Sequence, residues 1–152
     1  MPVTDMQIAV LRAFLTHEGD RLTTLAYQLG EAGMLGYVRL AEAALSVTAR
    51  RRFAPRLTNA DLVKFVAAVR TARLSDGDEF DFDPVVGEYV LRYSLGQPVK
   101  QALDLESRLV AVVALLDALA EEELTSEADI NSLLAEARLL ADRWQVGSDD
   151  GS

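Results

Sequence analysis

A chain of 152 residues, half of them hydrophobic, suits one domain and can bury roughly 70% of the surface its unfolded form exposes, which argues against wholesale disorder. It contains no cysteine, which excludes disulfides, thiolate chemistry and cysteine-based zinc sites. The net charge of −9 is laid unevenly, +4 over residues 1–75 and −13 over residues 76–152, a split that predicts two electrostatic faces and partners to match them.

The start of the chain, Met-Pro-Val-Thr-Asp-Met, lacks the basic and apolar regions of a signal peptide. The longest apolar stretch, Leu109 to Ala120, is broken by Asp117 and is too short to span a bilayer. The expectation is an acidic, soluble, cytoplasmic protein. Arg outnumbers Lys thirteen to two, and Ala, Leu and Val abound, the composition of a high-GC bacterial genome.

Apolar spacing is helical nearly everywhere. Thr4 or Asp5 caps a first helix with Ile8, Leu11, Phe14 and Leu15 on one face. Gly19 and Asp20 break it and start a second, striped by Leu22, Leu25, Ala26 and Leu29. Gly30, Gly33 and Gly36 follow, and whether the next helix is separate or joined through a kink stays open. That helix runs from about Met34 to Phe53, with Leu35, Val38, Ala41, Leu45 and Ala49 in its stripe, and Pro55 ends it.

Thr58 with Asp61 resembles a capping box before Leu62, Phe65, Val66 and Val69. Ser75 to Phe82 is an acidic loop, with Phe80 and Phe82 pinning it to the core. Asp83-Pro84 opens a helix carrying Val86, Tyr89, Val90 and Tyr93, and Gly96 stops it. Gln97-Pro98 begins a connector. The most apolar helix, about Asp104 to Glu122, holds Leu105, Leu109, Val112, Val113, Leu116 and Leu119. Ser126 with Asp129 starts the last, which uses Ile130, Leu133, Leu134, Ala137, Leu140, Ala141 and Trp144, ends at Gly147 and leaves 148–152 as a disordered tail.

No strand survives this reading, and the interior prolines Pro55, Pro84 and Pro98 all fall at helix boundaries. The fold predicted is an all-α, single-domain bundle of about six to seven mostly antiparallel helices over residues 1–147, with a weaker boundary near 97.

Two charged clusters are the candidate partner-binding sites. Arg50, Arg51, Arg52 and Arg56 form the basic one; guanidiniums pair with phosphates or, in bidentate fashion, with carboxylates. The plainer account is that cations at a helix C-terminus complement its dipole. The acidic cluster comprises Asp76, Asp78 and Glu79 in the loop, with Glu121, Glu122 and Glu123 at a helix C-terminus that the dipole mildly disfavours for anions. The loop fails the calcium test: from Asp76 the sixth position is Asp81 where Gly is needed, and the twelfth is Gly87 where Glu is needed. Tyr89 and Tyr93 with Arg92 between them have the composition of interface anchors, although the same spacing also suits a core.

No catalytic set is legible. His17, the sole histidine, lies beside Glu18 at a helix end, and Ser94 lacks the preceding Gly of a nucleophile elbow. No metal-ligand spacing, cofactor motif or phosphate-binding loop is present, so none of these is predicted.

The stretch from Ala60 to Gly96, with Asp61-Leu62-Val63-Lys64-Phe65, Asp83-Pro84 and Tyr89-Val90-Leu91-Arg92-Tyr93, and the segment Leu133 to Arg138 resemble uncharacterised helical proteins of high-GC actinobacteria. The likeness is one of composition, and it implies a helical fold without an activity. The functional expectation is a non-catalytic, cytosolic protein–protein interaction module, adaptor or immunity-like inhibitor, that meets another protein or itself through separated basic and acidic faces. The alternative is a DNA-associated regulator using Arg50 to Arg52, against which the overall acidity weighs.

Overall fold

The computed structural model describes residues 2–53, 58–75, 82–97 and 104–150. Among them the chain is all helical: α1 (Asp5–Leu15), α2 (Gly19–Phe53), α3 (Asn59–Ser75), α4 (Pro84–Ser94), α5 (Leu105–Glu123) and α6 (Glu127–Asp150). No helix of the described residues is long and apolar enough to cross a membrane.

Local sequence signals set most of these boundaries. The Thr4 hydroxyl accepts from the Gln7 N–H at 3.2 Å while the Gln7 side-chain oxygen accepts from the Thr4 N–H at 2.9 Å, a reciprocal cap for α1. Asp83 accepts from the Val85 N–H at 2.8 Å, with Pro84 in the first helical position. Asp104 accepts from the Ser107 N–H at 3.0 Å, opening α5. Asp129 accepts from the N–H and the hydroxyl of Thr125, both at 3.0 Å, at the start of α6. The hydrogen bonds from Ser107 hold the Asp104 carboxyl below its ordinary value, and those from Thr125 do the same for Asp129.

One boundary departs from the sequence reading, and one question that the sequence left open has its answer. Between 20 and 53 the chain forms two helical arms of α2 that meet in a kink at Gly30, where φ is 72° and ψ 178°; glycine alone takes such a conformation comfortably. The last helix does not end at Gly147 but continues to Asp150. A lone glycine lowers helix propensity without removing a backbone hydrogen bond, which is why it need not stop a helix.

α2 is the hub. It packs on α1, α4, α5 and α6, while α3 lies on α4 and α5. Its second arm buries Leu40, Ala41, Ala43, Ala44, Leu45 and Ala49 completely or nearly so. These meet Leu115, Leu116 and Leu119 of α5 and Leu133 and Ala137 of α6 in one continuous core. Buried polar groups reinforce the packing: the Ser46 hydroxyl donates to the Ser94 carbonyl at 2.7 Å, tying α2 to the end of α4. The two ends of the chain are joined as well. The Val3 N–H donates to Asp142 at 2.8 Å, and Arg138 donates to the Val3 carbonyl and to Asp5, both at 3.0 Å.

Close approach, not turn geometry, explains Gly87 on α4. A Cβ there would lie 2.7 Å from the Phe82 ring and 3.0 Å from Val66 of α3. Phe82 faces the core, buried against this glycine; Phe80 lies outside the described residues. Gly87→Ala is therefore expected to lose about 1–2 kcal/mol in a urea melt, the overpacking outweighing alanine's better helix propensity.

Candidate functional site: an arginine-lined apolar groove

Three side chains that belong to helical core stripes by spacing are not covered. Leu35 on α2 is 60% exposed, Tyr93 on α4 58% and Leu105 on α5 40%. All three line one groove of about 630 Å³, together with Val38, Trp144 and four charged residues, Arg39, Glu42, Arg108 and Arg143. Four helices contribute, and three of them bring an arginine: α2 brings Arg39, α5 Arg108 and α6 Arg143.

The single acid in the groove is committed internally. Glu42 is buried, and Arg108 donates to its carboxylate. Burial pushes the Glu42 carboxyl above its ordinary value, against the lowering effect of Arg108 and, more weakly, of Arg39 one turn away. Arg39 and Arg143 are exposed and make no ion pair among the described residues. The groove therefore offers guanidinium donors beside apolar and aromatic surface, on a chain that is acidic as a whole.

The clusters singled out in the sequence have a different arrangement. Arg51 pairs with Glu136 at 2.7 Å and Arg52 with Glu122 at 2.9 Å, both at the surface. One residue of the expected basic face thus meets one of the expected acidic face within the molecule. Arg50 is exposed near the turn at Gly96. Arg56 and the acids Asp76, Asp78 and Glu79 lie outside the described residues. Glu121 is exposed and faces His17 and Asp117, and Glu123 is half-buried. Arg92 donates to Asn59 at 2.7 Å, bracing α4 on α3 and leaving Tyr93 as the open aromatic of its pair.

Sequence reasoning missed Arg39, Arg108 and Arg143 because they are spread over a hundred residues and no local pattern joins them. Tyr93 was within its reach as an interface residue, and Leu35 and Leu105 were not. No protein-family model, curated protein or solved structure matches this chain.

Proposed function

We propose that the protein is a non-catalytic protein–protein interaction module that seats an acidic, apolar-tipped segment of a partner protein in the groove between α2, α4, α5 and α6. The observation that carries this reading is the convergence of Leu35, Tyr93 and Leu105, all uncovered, on a site edged by Arg39, Arg108 and Arg143. Apolar anchors ringed by arginines match the composition of interface hot spots. Carboxylates on the partner would pair with the free guanidiniums, which sets both orientation and association rate. A cytosolic setting belongs to the same reading, supported by the lack of cysteine.

The DNA-associated alternative has less support. Arg51 and Arg52 each hold a carboxylate already, and a phosphate would have to displace it.

Trp144, the only tryptophan of the chain, lines the groove and reports on it. Titration with a synthetic peptide of Glu-Glu-Leu-Leu repeats is expected to shift its fluorescence, and a Lys-Lys-Leu-Leu peptide is not. Arg39→Glu with Arg143→Glu is expected to weaken the acidic peptide at least about tenfold and to flatten its salt dependence. Equal binding of both peptides, or an unchanged affinity in the reversed variant, would refute the proposal. Concentration-dependent dimerisation that blocks the peptide would reassign the groove to a second copy of the chain.

A further inference from the structure

The only histidine of the chain stands at the corner between α1 and α2. α1 closes there with the Glu18 N–H donating to the Ala13 carbonyl at 3.0 Å and the His17 N–H to the Phe14 carbonyl at 3.2 Å. This places His17 itself in the left-handed region, at φ 57°, a position that glycine or asparagine ordinarily fills. Across from the corner, α5 presents Asp117 and Glu121, four residues apart and hence on one face. His17 Nε2 is 4.0 Å from Asp117 Oδ1. One ligand atom from each of His17, Asp117 and Glu121 lies within 4.8 Å of the other two. The neighbouring acid, Glu18, is turned to the Thr16 hydroxyl at 3.0 Å.

We propose that His17, Asp117 and Glu121 form a binding site for a zinc-class divalent transition-metal ion. The donor set is one imidazole nitrogen and two carboxylate oxygens, three protein ligands that leave room for water on the metal. Ligand atoms bound at about 2.0–2.1 Å stand roughly 3.3 Å apart in a tetrahedral shell. The side-chain ends of His17 and Glu121 are exposed, so they can swing inward by the remaining ångström or so without moving a helix. Imidazole favours zinc over magnesium and calcium, which prefer oxygen alone. An ion held here would bridge the α1–α2 corner to α5. Since α1 packs chiefly on α2 and α6, the bridge would strengthen the hold of this corner on α5 and stabilise the native state by mass action.

Isothermal titration of the full chain with zinc chloride tests this directly. One ion per chain is expected to bind, with a matching rise in the thermal midpoint that magnesium chloride does not produce. His17→Asn keeps a residue that tolerates the left-handed turn. It is expected to weaken zinc at least about tenfold, as is the surface pair Asp117→Asn with Glu121→Gln. Zinc bound equally well by either variant, or no binding of zinc by the unaltered chain, would overturn the proposal. The groove and its peptide titration are unaffected by either result.

Discussion

Arg108→Ala is expected to destabilise the protein by about 2–3 kcal/mol near neutral pH, because it strands the Glu42 carboxylate in the interior without its cation. A fully buried pair would lose more; here Arg108 is about a third exposed and solvent already screens part of the attraction. The pH dependence gives the result its signature. Burial raises the Glu42 carboxyl in the folded state above its unfolded value, so the folded protein holds this proton more tightly. Stability from this group is then full below the ordinary carboxylate range and is lost as pH rises through the raised folded value. Removing Arg108 raises that value further, so the deficit of Arg108→Ala should shrink as the pH is brought down towards the carboxylate range. Urea melts of the variant and of Glu42→Gln across that range check this. The Glu42→Gln chain should lack this component of the pH dependence, and a deficit for Arg108→Ala that stays constant with pH would show that the pair is not what the substitution disturbs.

Leu45→Ala should cost about 2–5 kcal/mol, a large share of the roughly 5–15 kcal/mol that holds a domain of this size together. Leu45 is fully enclosed on the helix that packs on α1, α4, α5 and α6, so the cavity has no easy way to collapse. Leu35→Ala, on the same helix and drawn from the same periodic stripe, should fall within about 0.5 kcal/mol of the unaltered chain, since Leu35 is open in the groove. The contrast is the useful measurement. Equal losses at the two positions would mean that Leu35 is packed in solution and that the groove is closed.

That contrast also marks what the amino-acid sequence made readable. The caps at Thr4, Thr58 and Asp83 act within three residues, and their local patterns announced them. The helical class and the buried stripes followed from spacing alone. Which members of a stripe stay uncovered did not, because that depends on where neighbouring helices end: Leu35, Tyr93 and Leu105 look like core residues until four helices are placed around them. Charge pairing was equally out of reach. Arg51 finds Glu136 and Arg52 finds Glu122 across 85 and 70 positions of chain, so these pairs could not be read from blocks of like charge along the sequence. His17 read as an ordinary helix-end residue for the same reason: its carboxylate neighbours arrive from α5, a hundred residues later.

The bend at Gly30 has a mechanical consequence. No side chain crowds that residue; its dihedrals alone interrupt the rod, so strain applied to one part of α2 is not passed along it. All of the helix's fully enclosed positions, Tyr37 to Phe53, lie on the far side, whereas Leu22, Leu25 and Leu29 on the near side are only half-covered. The near arm is thus expected to exchange its amide hydrogens sooner than the far arm, which carries the sealed centre.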